Sequence, residues 1–221
     1  MGSRSSESLN RARKTYTLEH HGVDLKASCF GRRWDEGGVM RIIGGVWRGR
    51  RLAAPHGART RPTADRVRQA LFDILLHAPW AGHEAIEGTR VLDVFAGTGA
   101  LGLEALSRGA GHASFIENDP AALAALGANI ASCEANDRCT IIPTDALSAR
   151  PGGPCGLVFL DPPYQQSLLE GAVQRLRIGG WIAPGTLIIT ETQRPEPLLL
   201  PAALLTERPH GPARLSFWRA E

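Results

Sequence analysis

Cysteine is scarce and scattered. Cys29, Cys133, Cys139 and Cys155 form no C-x-x-C pair, which argues against a zinc ribbon or a disulfide framework and reads as free thiols in a reducing cytoplasm. Five of the seven histidines, His56, His77, His83, His112 and His210, occur singly, and they suggest no metal cluster or catalytic triad. Long apolar runs are missing. No stretch approaches the roughly 20 residues of a membrane helix, and the first thirty residues lack a signal-peptide core. No internal repeat is present. What remains is ordinary for a globule with one sizeable core: 221 residues, 43% hydrophobic and 21% charged.

Lysine is absent from residues 40–68, where arginine abounds. Arg41, Arg48, Arg50, Arg51, Arg59, Arg61, Arg66 and Arg68 face a single acid, Asp65, although the whole chain carries only +3. A basic segment on an otherwise acidic chain suits a phosphate-rich partner, or is a solvated arginine surface. Residues 41–55, punctuated by glycine, suggest a short β-hairpin. Trp47 among the arginines can stack a base, or pack the hairpin onto the main body as Ile43 does. Thr63 suits the N-cap of a helix whose stripe is Val67, Ala70, Leu71, Ile74 and Leu75. Arg66 lies off that stripe, free to reach a site mouth or to pair with Asp65 or Asp73. Residues 1–39 are polar and aperiodic, read as disordered or as a non-native extension ahead of a start at Met40.

Downstream, the apolar run 156–160 ends in Asp161-Pro162-Pro163-Tyr164. The run reads as a buried strand stopped by the proline pair. A carboxylate, prolyl carbonyls and an aromatic ring then meet at a strand's carboxyl end, where open α/β sheets bind ligands. The group suits a planar amine on a base, with acceptors for its N–H bonds and a ring to stack on. Asp-Pro-Pro is equally a common turn.

About sixty residues upstream, a short strand 91–95 leads into Gly97 and Gly99, a tight turn that opens a helix. Gly97, Gly99 and Gly102 match G-x-G-x-x-G. Asp93, however, stands inside the strand, where a nicotinamide dehydrogenase has an apolar residue. An acid there can hold the ammonium of S-adenosylmethionine. A second strand ends in Glu117-Asn118-Asp119-Pro120, with Glu117 suited to a ribose diol and Asp119 to an N-cap. A third precedes Asp145-Ala146, where Asp145 can accept from an adenine amine or be a plain loop acid. A further helix, a fifth strand at 186–191 and a closing hairpin (204–207 with 213–218) follow.

Acidic strand ends in the order Asp93, Glu117, Asp145, Asp161 resemble the Rossmann-like S-adenosylmethionine-dependent methyltransferases. The segments Arg41-Ile42-Ile43-Gly44-Gly45-x-Trp47-Arg48-Gly49-Arg50, Arg61-Pro62-Thr63-x-Asp65-Arg66-Val67-Arg68 and Asp93-x-Phe95-Ala96-Gly97-Thr98-Gly99, with the Asp161 motif, resemble the bacterial RsmD-type 16S rRNA (guanine-N2)-methyltransferases over residues 40–219. The resemblance implies a mostly parallel seven-stranded sheet with helices on both faces and a C-terminal antiparallel hairpin. It implies a basic RNA-binding hairpin at 40–62 and a methyltransferase domain at 63–221. S-adenosylmethionine would lie against Asp93, Phe95, Ala96, Gly97, Gly99, Glu117, Asn118, Asp145 and Ala146. RNA would meet Arg41, Trp47, Arg48, Arg50, Arg51, Arg61 and Arg66. Asp161, Pro162, Pro163 and Tyr164 would be catalytic, with no metal. The partner would be 16S rRNA, within the small subunit or an assembly intermediate, and the protein a cytoplasmic monomer.

Hydrogen bonds from the guanine N2 amine to Asp161 and the Pro162 carbonyl would bias the nitrogen towards sp³ character and aim its lone pair. Rivals are a methyltransferase for adenine N6 or another base amine, one for protein glutamine, an NAD dehydrogenase and a non-catalytic RNA-binding module.

Overall fold

The structure, a computed structural model, describes residues 40–55, 62–162, 166–193, 200–210 and 213–221. Arg61, Pro163 and Tyr164, assigned above to RNA and catalysis, lie outside the described residues. So do Cys29 and His56. No described helix is long and apolar enough to cross a membrane.

Seven strands form one sheet: β1 (Arg90–Val94), β2 (His112–Glu117), β3 (Cys139–Pro143), β4 (Leu157–Leu160), β5 (Leu187–Gln193), β6 (Ala202–His210) and β7 (Ala213–Ala220), in the order β3-β2-β1-β4-β5-β7-β6. Pairs through β5 are parallel, and β7 runs antiparallel to both β5 and β6. The closing hairpin read from the sequence is β6–β7. The central strands β1 and β4 read as apolar runs because both their faces are covered: every residue of β4 is buried.

The two faces carry separate cores. Val91, Phe115, Leu157, Phe159, Ile189 and Phe217 face one side, with α1 (Pro62–His77), α2 (Ala100–Ser107) and α3 (Pro120–Ser132) against them. Leu92, Val94, Val158, Leu160 and Ile188 face the other, under α4 (Gln166–Ile178). The period-two alternation of strand side chains produces this division. On α1 the stripe holds, but it is wider than read. Phe72 is fully buried with its ring 5.7 Å from that of Phe159, because a globular helix buries a face broader than 100°. The helix begins at Pro62, one residue ahead of the Thr63 cap, since a proline at the first helical position has its φ already set.

Residues 40–52 make a short hairpin-like turn. One antiparallel bridge joins Arg41 to Arg51, Ile42 donates to the Arg50 carbonyl, Leu52 to that of Met40 and Gly49 to that of Ile42, and the chain between makes a 3-10 turn at Gly45–Trp47. The pairing goes no further because other donors point elsewhere. Ile43 and Gly44 give their N–H groups to Glu104 of α2, both at 2.7 Å, and Trp47 gives its N–H to Ser107 Oγ at 2.9 Å. These three amides are satisfied by α2 and tie the turn to that helix. Ile42 and Leu52 are buried in the same core as α1 and α2.

Candidate active site

The strand order reverses between β1 and β4, so their carboxyl ends open a crevice where the sheet's ligand site is expected. Val94 and Leu160 are register partners there. Phe95 and Asp161 are the next residues of each chain. The acid of the Asp-Pro-Pro motif therefore stands beside the strand that enters the glycine turn.

That turn is built by backbone conformation. Phe95, Gly97 and Gly99 all have positive φ, at 61°, 54° and 77°. Phe95 is the costly one, since a side chain in the left-handed region is strained by about 1 kcal/mol or more. Gly97 donates its N–H to Glu117 Oε2 at 2.7 Å, while Glu117 Oε1 accepts the amides of Asn118 and Asp119 at 2.8 Å each. A carboxylate has about four acceptor positions. Glu117 thus holds the turn and the β2 tip together, with little capacity left for a diol unless one amide yields. Asp119 caps α3 through the N–H of Ala122, with Pro120 behind it, as read from the sequence.

Phe95, Ile116, Glu117, Asn118, Thr144, Asp145 and Ala146 line a small open cleft. Five of them belong to the expected cofactor set; Ile116 and Thr144 do not. Asp145 caps a short 3-10 turn through Leu147 N–H and lies 3.4 Å from the Asn118 amide nitrogen. The donor set, two carboxylates and an amide beside an aromatic ring, fits an adenosine with its polar edges. At Gly97, whose N–H meets Glu117 of the cleft, a Cβ would project into open space, so the backbone there is bare.

Asp93 lies deeper. It is 2% exposed, and its Oδ2 accepts the N–H of Gly102 at 2.8 Å. Burial pushes its pKa up to about 8. The Gly102 amide opposes the shift, and the nearby charges of Asp161 and Glu117 add to it. Asp93 therefore ties β1 to α2 from within the protein. Asp161 keeps an exposed surface, yet desolvation of its carboxyl raises its pKa to about 6. Pro162 is half-buried beside it.

Of the expected RNA contacts, Arg41, Arg48, Arg50, Arg51 and Arg66 are exposed. Arg41 also lies 3.7 Å from Asp65. Trp47 is half-buried against the core, with the Arg138 guanidinium 5.1 Å from its ring centre, so it anchors the turn. Arg68 is no surface group: it is 5% exposed, donates to the carbonyl of Arg41 and to Asp65, and lies 3.7 Å from Glu104.

Sequence reasoning missed the residues that clamp this corner. Glu104 is fully buried, bonded to Arg108 at 2.8 Å and to the two amides of the basic turn. Asn129 of α3 exchanges hydrogen bonds with the Ala53 backbone and donates to the Thr98 carbonyl. The signal for Glu104 was a lone acid within the otherwise apolar turns of α2. Asn129 gave none.

A sheet of this order, with a glycine turn after β1 and acids at the ends of β1, β2 and β4, defines a methyltransferase of the Rossmann-like class. The profile of a family described as "Conserved hypothetical protein 95" matches residues 40–219. The chain is 44% identical over 158 residues to ribosomal RNA small subunit methyltransferase D of Escherichia coli, covering 71% of this chain and 76% of the relative. It is 37% identical over 181 residues to the Haemophilus influenzae protein of the same name, covering 79% and 90%. The solved structure of yhhF from Escherichia coli aligns with a TM-score of 0.72 at 39% identity, over 83% of this chain and 99% of that one. The chain belongs to this family, the RsmD-type methyltransferases.

Proposed function

We propose that the protein transfers a methyl group from S-adenosylmethionine to the exocyclic N2 amine of a guanine in small-subunit rRNA. The observation that carries this reading is the position of Asp161, one residue past the β4 end and next to the strand that enters the glycine turn. The names of the curated relatives support rRNA as the substrate. The exposed Arg48, Arg50 and Arg51 provide counter-charges for its phosphates.

When bound, the donor supplies an electrophilic methyl on a cationic sulfur. The chain's own residues do the rest. Glu117, Asn118 and Asp145 orient the nucleoside portion in the cleft. Ionised above about pH 6, Asp161 accepts one N–H of the amine, and the Pro162 carbonyl accepts the other. Together they turn the nitrogen lone pair out of conjugation and towards the methyl. Tyr164 supplies the stacking face for the extruded base. No strong base is required, because the amine becomes acidic as its new bond forms.

The test uses the full chain, labelled donor and small subunits that lack the modification, followed by nucleoside mass spectrometry. N2-methylguanosine is expected. Asp161→Ala should cut single-turnover rates by about two to four orders of magnitude while donor binding by calorimetry stays near that of the unaltered chain. Label in another nucleoside, or full activity in the variant, would overturn the assignment.

A further inference from the structure

Glu191 stands next to Asp161 on the neighbouring strand. Leu160 of β4 and Thr190 of β5 are register partners, and the two acids are the next residues on each chain. Adjacent strands lie about 4.8 Å apart. Alternation puts both acids on the face of Phe159 and Ile189, which α1 covers, while Leu160 turns to the other core and Thr190 accepts from Trp218 Nε1. Beyond β4 the sheet continues, so Glu191 is half-buried, with Leu215 of β7 as its register partner on the far side. The reaction as described above assigns Glu191 no task.

We propose that Glu191 is a positioning residue for methyl transfer, holding Asp161 towards the amine and sharing the proton that the amine gives up. The inference rests on the function proposed above. As the N–C bond forms from the nitrogen lone pair, the C–S bond breaks with its electron pair left on sulfur. The surplus proton on nitrogen passes to the Asp161 carboxylate, and Glu191 shares it before solvent removes it.

Other charged groups on this face come from every element packed there. Asp93 belongs to β1, Arg208 to β6, Arg219 to β7, Asp65 and Arg68 to α1, and Glu104 and Arg108 to α2. Among the described residues, the ion pairs on this face join Arg41 and Arg68 to Asp65, and Arg68 and Arg108 to Glu104, while Arg214 and Glu207 pair on the opposite face, with Ser216 and Thr190. Desolvation, then the charge of Asp161, push Glu191 up to about 7. Two neighbouring carboxyls with pKa values of about 6 and 7 exchange protons close to neutrality, as a shared acceptor requires.

The experiment compares the unaltered chain, Glu191→Gln and Glu191→Asp in single turnovers on unmodified small subunits between pH 5 and 8.5. The pair's upper step, near 7, is Glu191 ionising beside an already charged Asp161, and Glu191→Gln removes it, so the acid limb of the rate profile should move down towards the Asp161 step near 6. The rate at neutral pH should fall by about 10- to 100-fold, less than the loss of a direct general base. Affinity for S-adenosylhomocysteine should not change, and Glu191→Asp should regain part of the rate. An unaltered profile, or a slower rate with the limb in place, would overturn the proposal. If Glu191→Gln fails to fold, Glu191→Ser, which also removes the carboxyl, takes its place, and the position of its limb decides in the same way. An unaltered chain that methylates nothing overturns the underlying reading as well, and does so before any variant is compared.

Discussion

The buried carboxylate of Glu104 accepts the backbone amide of Gly44 at 2.7 Å, across sixty residues of sequence. This bond, with its twin at Ile43, ties the basic turn to α2, the helix that the glycine turn opens. The arginine-rich turn and the helix that follows the glycine turn are therefore joined by Glu104, with Ser107 beside it. Glu104→Ala should leave Arg108 without its counter-charge and two amides without acceptors. Breaking a buried pair in this way costs about 3–5 kcal/mol. Urea unfolding should show that loss, and a cost below about 1 kcal/mol would mean that the turn is held by its other contacts.

The two glycines of the turn should respond differently to alanine. At Gly99 a Cβ would stand 2.3 Å from Leu126 Cδ1, with φ at +77°. Overpacking and a left-handed alanine together should cost about 2–4 kcal/mol. At Gly97 the space is open and only the φ of +54° is strained, so about 1–2 kcal/mol is expected. Gly97→Ala should nevertheless weaken donor binding, because straining φ at Gly97 disturbs its hydrogen bond to Glu117, which lines the cleft. Thermal unfolding paired with calorimetry separates the two; equal stability losses would contradict the difference in packing.

Asp93 gives the fold a pH dependence of unusual sign. Its carboxyl has a pKa of 3.8 when free and about 8 in the folded chain. Below about 4 it is protonated in both states. Between about 4 and 8 only the unfolded chain ionises, so this group's contribution to stability falls as pH rises through that window. Asp93→Asn should flatten the slope. Denaturant midpoints measured from pH 4.5 to 8 check it, and parallel curves for the two chains would refute it.

Exposed arginines of the turn should act through phosphate. Arg48→Ala combined with Arg50→Ala should weaken RNA binding and reduce the slope of log affinity against log salt by about 0.7–0.9 per lost contact. Stability should hardly change, since both side chains are exposed. An unaltered salt slope would make them a solvated surface.

Much of this architecture is legible in the chain itself. Strands β1 to β4, their acidic ends, the glycine turn, the Asp119 cap and the C-terminal hairpin rest on short-range patterns: apolar runs, turn residues and caps within a few positions. The central strands are buried on both faces, so their apolar runs are strong signals. Acids that interrupt or end such runs are conspicuous because an unpartnered charge in the core is costly. On that basis alone, a nucleoside-binding α/β enzyme with a base-amine motif was the expected result.

Partnerships between distant residues were settled by tertiary packing. The basic segment pairs its ends as a short hairpin would, but the amides of Ile43, Gly44 and Trp47 are taken by Glu104 and Ser107. Arg68 looked like one more surface arginine and is buried against Asp65. Glu117 looked free for a ribose and already receives three backbone amides. Glu191 passed as an ordinary strand residue until the β4–β5 register set it beside Asp161. Local pattern specifies which backbone conformation a segment adopts. Which donor meets which acceptor, and whether a charge loses its water, depends on segments brought together from far apart, and only the folded chain decides that.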